Sequence, residues 1–302
     1  VSRRFMFKRI LIATDFSRAS RAALYAGLGV ARKCLANVLA VHCATPLEIL
    51  LESPQPAPLQ GAQLQKILGK QFEDFFPESL YPNSSKKILV GRSPAEEIVK
   101  AARAGQCDLI VVGSHGHGGV GRTLIGSVAQ RVTRDSEIPV MVVRDVEHSH
   151  KKYEGYRRIL VPTDFSETSM KALDLGVRFS NFLQADLHLI HVVDWPTITL
   201  ISTVYPGYPF FQVKDPEPDK LRMEKTLDEL LLKKELVGKS TTATLIGDPA
   251  DEILRYAEKE NIDFIVMGTH GRKGLERVLM GSTTSAVMAK SEIPVLTISV
   301  PV

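Results

Sequence analysis

The chain has 302 residues, 44% of them hydrophobic and 24% charged, with 38 lysines and arginines against 34 acidic residues and a formal net charge of +4. That balance excludes a disordered chain, and the basic residues form no block of the kind that neutralises a nucleic-acid backbone, so no nucleic-acid partner is expected. No run reaches the roughly eighteen apolar residues of a membrane span, no export leader is recognisable, and the three spaced cysteines, Cys34, Cys43 and Cys107, suit free thiols in a reducing cytoplasm better than disulfides or a metal site.

Short apolar runs predict strands over residues 10–13, 38–42, 86–90, 109–112 and 140–143, with helices between them. The first helix is expected after Ser17, whose hydroxyl can cap free amides, and runs through the alanine-rich stretch that ends at Cys34. A later helix opens with "SPAEEI", where Ser93 is the expected cap, Pro94 takes the first helical position and Glu96 and Glu97 complement the helix dipole. The polar stretch "RDVEHSHKKYEGYRR" marks a join near residue 150, dividing the chain into domains 1–150 and 151–302.

The second half repeats the first. "KRILIATDFSRAS" returns as "RRILVPTDFSETS", with Asp164 standing 149 residues after Asp15, whereas Pro94 and Pro139 return at Pro249 and Pro294 after 155, so the second copy carries six extra residues in its middle. Strands alternating with helices predict an α/β fold with a mainly parallel sheet in each copy. The two copies are expected to pair about a two-fold through their closing strands, "PVMVV" and "PVLTI", each of which would otherwise be an exposed edge.

After the fourth strand of each copy comes a glycine-rich stretch, "GSHGHGGVGRTLIGS" from Gly113 and "GTHGRKGLERVLMGS" from Gly268. Gly113, Gly116 and Gly126 recur as Gly268, Gly271 and Gly281, while Gly118 and Gly121 do not recur. A strand that ends at the first glycine, turns at the second and enters a helix at the third leaves free amides at a helix start, a cradle for phosphate. Tight turns without a ligand remain the alternative. The spacing fits neither a Walker loop nor the dinucleotide fingerprint. "GSHG" lacks the nucleophile elbow of a serine hydrolase, and the second copy has Thr269 in place of Ser114. His148 and His150 read as solvated residues of the join, and the aromatic insert at 197–212 as a packing or self-association element.

These residues, the Asp after strand one, the glycine spacing and the "IPV" closing strand, each present twice, resemble a tandem universal stress protein. The resemblance implies two doubly wound Rossmann-like domains related to the adenine nucleotide alpha hydrolases, each an open five-stranded parallel sheet of order 3-2-1-4-5. It also implies ATP or AMP at the switch point between strands one and four, which is where such sheets bind ligands. By the resemblance, Ala13, Thr14 and Asp15 line the adenosine, Cys43 flanks the base, Val112, Gly113, His115 and Gly116 follow the ribose and phosphates, and Gly126, Ser127 and Val128 hold the phosphates. The second copy offers Pro162, Thr163, Asp164, Val192, Met267, Gly268, His270, Gly271, Gly281, Ser282 and Thr283. Its "STTS" after the last glycine, against "SVA" in the first copy, promises additional hydroxyl donors. Mg²⁺, if used, arrives with the phosphates. The expected role is a nucleotide-dependent stress sensor rather than an enzyme, with a homodimer as a further expected association. A nucleotide-free scaffold and a slow ATPase are the alternatives.

Overall fold

A computed structural model describes residues 6–46, 49, 62–115, 125–145, 155–194, 217–269 and 280–299. The first repeat runs β1 (Arg9–Thr14), α1 (Arg18–Cys34), β2 (Asn37–Ala44), α2 (Ala62–Phe75), β3 (Ser84–Val90), α3 (Pro94–Ala104), β4 (Leu109–Gly113), α4 (Ser127–Asp135) and β5 (Val140–Val143). The second runs β6 (Arg158–Pro162), α5 (Glu167–Leu183), β7 (Asp186–Val193), α6 (Glu217–Leu232), β8 (Ser240–Ile246), α7 (Pro249–Lys259), β9 (Phe264–Gly268), α8 (Ser282–Lys290) and β10 (Val295–Ile298). The expected join near residue 150, Gly116, His270, Gly271, and the insert at 197–212 lie outside the described residues.

All the strands form one sheet in the order β3-β2-β1-β4-β5-β10-β9-β6-β7-β8. Within each repeat the neighbours are parallel and follow the order 3-2-1-4-5; at the centre β5 and β10 are antiparallel, Met141 facing Leu296 and Val142 facing Val295. The closing strands are therefore the seam that the duplication predicts. Thr297 Oγ1 donates to the Val140 carbonyl at 3.0 Å, Ser299 Oγ to that of Ser136 at 2.6 Å, and Arg144 to that of Lys290 at 2.9 Å. Joining the repeats leaves only β3 and β8 as sheet edges among the described residues.

Both faces of the central strands are covered, which is why they read as unbroken apolar runs rather than alternating ones. Ile10, Ile12 and Val111 pack under α1, while Leu11, Ala13, Ile110 and Val112 pack with α3 and α4. Ser17 caps α1 as expected, accepting from Ser20 N, and Ser166 does the same for α5. Ser93 does not behave as expected. It stands at the cap position of α3, but its hydroxyl is buried with no hydrogen-bond partner, whereas Asp248, its counterpart, accepts from the amides of Ala250 and Asp251 at 3.0 Å. The carboxylate reaches amides that the shorter hydroxyl does not. Strand β3 starts at Ser84, two residues ahead of the expected start, because Ser84 pairs with Val38.

Candidate functional site

The site is built where β1 and β4, neighbours in the sheet, reach their carboxyl ends. Past Thr14 the chain turns through Asp15 and Phe16 into α1, and Phe16 takes a left-handed conformation with φ 64°. For a bulky residue this costs about 1–3 kcal/mol unless its surroundings hold it. Four contacts do so: Phe16 N donates to Thr14 Oγ1 at 2.9 Å, the ring stacks on His42 at 4.4 Å, and Phe72 and Phe75 each meet it edge-on at 5.6 Å. The second repeat reproduces the turn. Phe165 has φ 61°, its amide donates to Thr163 Oγ1 at 3.0 Å, and its ring lies 4.9 Å from His191.

The expected adenosine-lining residues divide into two groups. Thr14 and Thr163 are buried, with hydroxyls committed to the turn and to Ser20 and Ser169 at 3.0 Å, so a ligand would meet their main chain rather than their side chains. Asp15 and Asp164 are half-buried at the mouth. Asp15 Oδ1 accepts from Ser17 N at 3.1 Å, and Asp164 Oδ1 accepts from both the amide and the hydroxyl of Ser166 at 3.1 and 2.6 Å. Each carboxylate thus supports the turn and stands beside the strand end. Ala13, Pro162, Cys43, Val112 and Met267 are buried and Val192 half-buried, an apolar set at the ends of strands one, two and four of each repeat.

His42 and His191 were not among the residues singled out from the sequence. Each directs Nδ1 at the carbonyl of the threonine ending strand one, at 2.9 Å to Thr14 and 2.7 Å to Thr163. The signal was available, since both copies carry histidine at the same point of the second strand.

The first glycine of each loop has a reason that needs no ligand. A Cβ on Gly113 would lie 2.8 Å from the Ala19 carbonyl carbon and 2.9 Å from Ser20 N, and one on Gly268 2.9 Å from the Thr168 carbonyl carbon. The close approach at these positions is that of α1 and α5 to the end of the fourth strand. The third glycine behaves differently. Gly126 N donates to the Ser114 carbonyl at 2.7 Å and Gly281 N to that of Thr269 at 2.9 Å, drawing the two ends of each loop together. Both glycines stand at helix caps without a side chain to accept a hydrogen bond, so the first-turn amides of α4 and α8 have no side-chain cap.

Ser127 and Ser282 open these helices exposed to solvent, followed by half-buried Val128 and Thr283. The expected surplus of donors in the second repeat is smaller than "STTS" suggests. Thr284 Oγ1 donates back to the Gly268 carbonyl at 2.7 Å and Ser285 Oγ to that of Gly281 at 3.0 Å, so two of the four hydroxyls are already committed to the protein's own carbonyls.

His115 lies at the same mouth, Nδ1 2.9 Å from Ser114 Oγ, with Nε2 buried and without a hydrogen-bond partner among the described residues. Burial, followed by the nearby Arg144 cation, holds its pKa below the usual 6.5, so the ring is neutral at pH 7. Ser114 is itself fully buried, so its hydroxyl is closed to a substrate. Among the described residues no group of histidine, cysteine and carboxylate side chains could hold a metal ion, and no helix is long and apolar enough to cross a membrane. The three cysteines are buried and free, and burial pushes the thiols of Cys34 and Cys107 up to about 11.

The sequence model of the universal stress protein family matches residues 6–144 and 155–299. Universal stress protein MJ0531 of Methanocaldococcus jannaschii is 34% identical over 147 residues, 48% of this chain and 84% of that protein. MJ0577 of the same organism is 35% identical over 153 residues, 47% of this chain and 94% of that protein. Rv2005c of Mycobacterium tuberculosis extends across the join, 26% identical over 216 residues and covering 70% of this chain and 68% of its own. A universal stress protein from Archaeoglobus fulgidus has the same fold, with a TM-score of 0.64 at 20% identity and coverage of 96% and 98% of the two chains.

Proposed function

This chain belongs to the universal stress protein family, and from that premise we propose that it binds an adenine nucleotide, ATP or AMP, at the β1/β4 end of the first repeat and the β6/β9 end of the second. The observation that carries the reading is the pair of glycine-capped helices, α4 and α8, whose first-turn amides open without a side-chain acceptor beside those strand ends. Free amides and the positive end of a helix dipole together favour phosphate. The main chain at Gly126, Ser127 and Val128, and at Gly281, Ser282 and Thr283, would hold the phosphates. Asp15 and Asp164 would meet the ribose or base, against Ala13, Cys43 and Val112 in one repeat and Pro162, Val192 and Met267 in the other.

The Nε2 of His115, without a partner among the described residues, fits the same reading, since a buried polar atom left unpaired costs about 1–3 kcal/mol until something bonds to it. Gly116, His270 and Gly271 enter by family resemblance alone. Mg²⁺ would be carried by the phosphates, as no protein cluster stands ready for it among the described residues. The role is that of a cytoplasmic regulator whose association changes with occupancy rather than a catalyst. A nucleotide-free scaffold is the second reading, and it is favoured by Gly113 and Gly268, whose lack of side chain the packing of α1 and α5 accounts for.

Purified protein, denatured and examined by mass spectrometry, should release ATP or AMP, and calorimetric titration should detect a site emptied during purification. Neither copurified nor titratable nucleotide would leave the scaffold reading standing. Phosphate release should be negligible if binding, not turnover, is the function.

A further inference from the structure

At the amino ends of the first repeat's strands, opposite the candidate nucleotide site, the sheet, α3 and the turn before β3 border a half-open cleft of about 540 Å³. Leu39, Ala101 and Ala104 give it apolar walls, Arg9 and Lys87 are its cations, and no carboxylate lines it. Its size falls in the range of about 300–1,000 Å³ usual for small-molecule sites.

The second repeat shows that the fold does not require this cleft. Ser84 pairs with Val38 as Ser240 pairs with Leu187, so Lys87 corresponds to Ala243 and Leu39 to His188; along the following helix Ala101 corresponds to Tyr256 and Gly105 to Glu260. There the buried Tyr256 packs edge-on against His188, with its hydroxyl 3.0 Å from Nδ1, where the first repeat has only a leucine and an alanine. The charge differs as well. Asp186 and Glu260 stand near His188 in the second repeat, at the positions of Asn37 and Gly105 in the first. Arg9 donates to the Gly105 carbonyl at 2.6 Å, countering the negative end of α3, and Lys87 is exposed without a carboxylate partner among the described residues.

We propose that this cleft is a second ligand site, present in the first repeat and closed in the other, for a small organic anion with a flat apolar body. The body lies against Leu39, Ala101 and Ala104, and its carboxylate or sulfonate meets Lys87 and Arg9. The proposal is independent of the nucleotide reading.

The test is a fluorescence titration of the intact chain with 8-anilinonaphthalene-1-sulfonate, in excess ATP so that the probe is kept from the phosphate cradles. One probe per chain is expected. Lys87→Ala, which installs the second repeat's residue, should weaken binding about fivefold or more, the size of a lost charge-assisted contact. Leu39→His with Ala101→Tyr, which rebuilds the closed arrangement, should abolish it, and uncharged N-phenyl-1-naphthylamine should bind at least tenfold more weakly. Lys87 is exposed and has no carboxylate partner among the described residues, so its variant retains the fold and decides the matter even if the double variant does not fold. Unchanged affinity in Lys87→Ala, or equal binding of the uncharged probe, would overturn the proposal.

Discussion

The Nδ1 of His42 lies 2.9 Å from the carbonyl oxygen of Thr14, and His191 stands 2.7 Å from that of Thr163. A carbonyl only accepts, so Nδ1 carries the proton and donates. The bond ties the end of strand two to the end of strand one just before Asp15 or Asp164 leaves the sheet. It also presents the imidazole face to Phe16 or Phe165, the left-handed residue of the turn.

His42→Ala should therefore remove one hydrogen bond from the Thr14 carbonyl, which the pairing of β1 with β2 also engages, and take away the ring beneath Phe16, with a loss of about 0.5–1.5 kcal/mol from the hydrogen bond alone. His42→Asn, which keeps a donor at the place of Nδ1, should recover part of it. Urea denaturation of the three proteins checks this, and an alanine variant as stable as the parent would deny the bond its role.

Gly113→Ala and Gly268→Ala place a methyl under 3.0 Å from the backbone of α1 and α5. Overpacking of this kind costs about 1–3 kcal/mol. Each substitution should lower the urea midpoint without any nucleotide present. A glycine reserved for a ligand would show no such effect in the empty protein.

Ser127→Asp with Ser282→Asp should separate phosphate binding from folding. Both serines are exposed in the first turns of α4 and α8, where a carboxylate adds about 0.3–1 kcal/mol through the helix dipole while repelling a phosphate. The expected result is an unchanged or slightly raised melting temperature and lost calorimetric binding of ATP. Gly126 is a poorer place for the test, since a Cβ there falls 3.0 Å from the Ser114 carbonyl oxygen and would disturb the loop itself.

The buried pair His188 and Tyr256 should shape stability at both ends of the pH range. Burial, joined by the Arg158 cation, lowers the pKa of His188 below 6.5 against the opposing pull of Glu260 and Asp186, so below pH 6.5 the unfolded chain takes up the proton more readily and stability falls as pH drops. Burial raises Tyr256 from 10 to about 12, so its contribution is present below pH 10 and lost as pH climbs towards 12. His188→Leu, the first repeat's residue, should flatten the acid limb of a plot of urea stability against pH between 5 and 7. A limb of unchanged slope would count against it.

Much of this fold is legible in the residues because the chain states it twice. The apolar runs of β1 and β4, the "IPV" strands and the serine caps each recur in register, and two copies with shared edges leave few ways to join. Side-chain commitments were less visible. Nothing in "STTS" tells which hydroxyls turn back to carbonyls, and the need for Gly113 depends on how near α1 runs, a distance that no local pattern encodes. His42 was hidden for a related reason: a histidine inside an apolar strand reads as core until the neighbouring strand's carbonyl is known. Ser93 misled because serine and aspartate share a cap preference yet differ in reach.

Because β5 and β10 run in opposite senses, the carboxyl ends of the two sets of strands emerge on opposite rims of the molecule. A small molecule bound at one mouth therefore does not reach the other. The two strand-end mouths thus open away from each other and do not share a cleft between the halves.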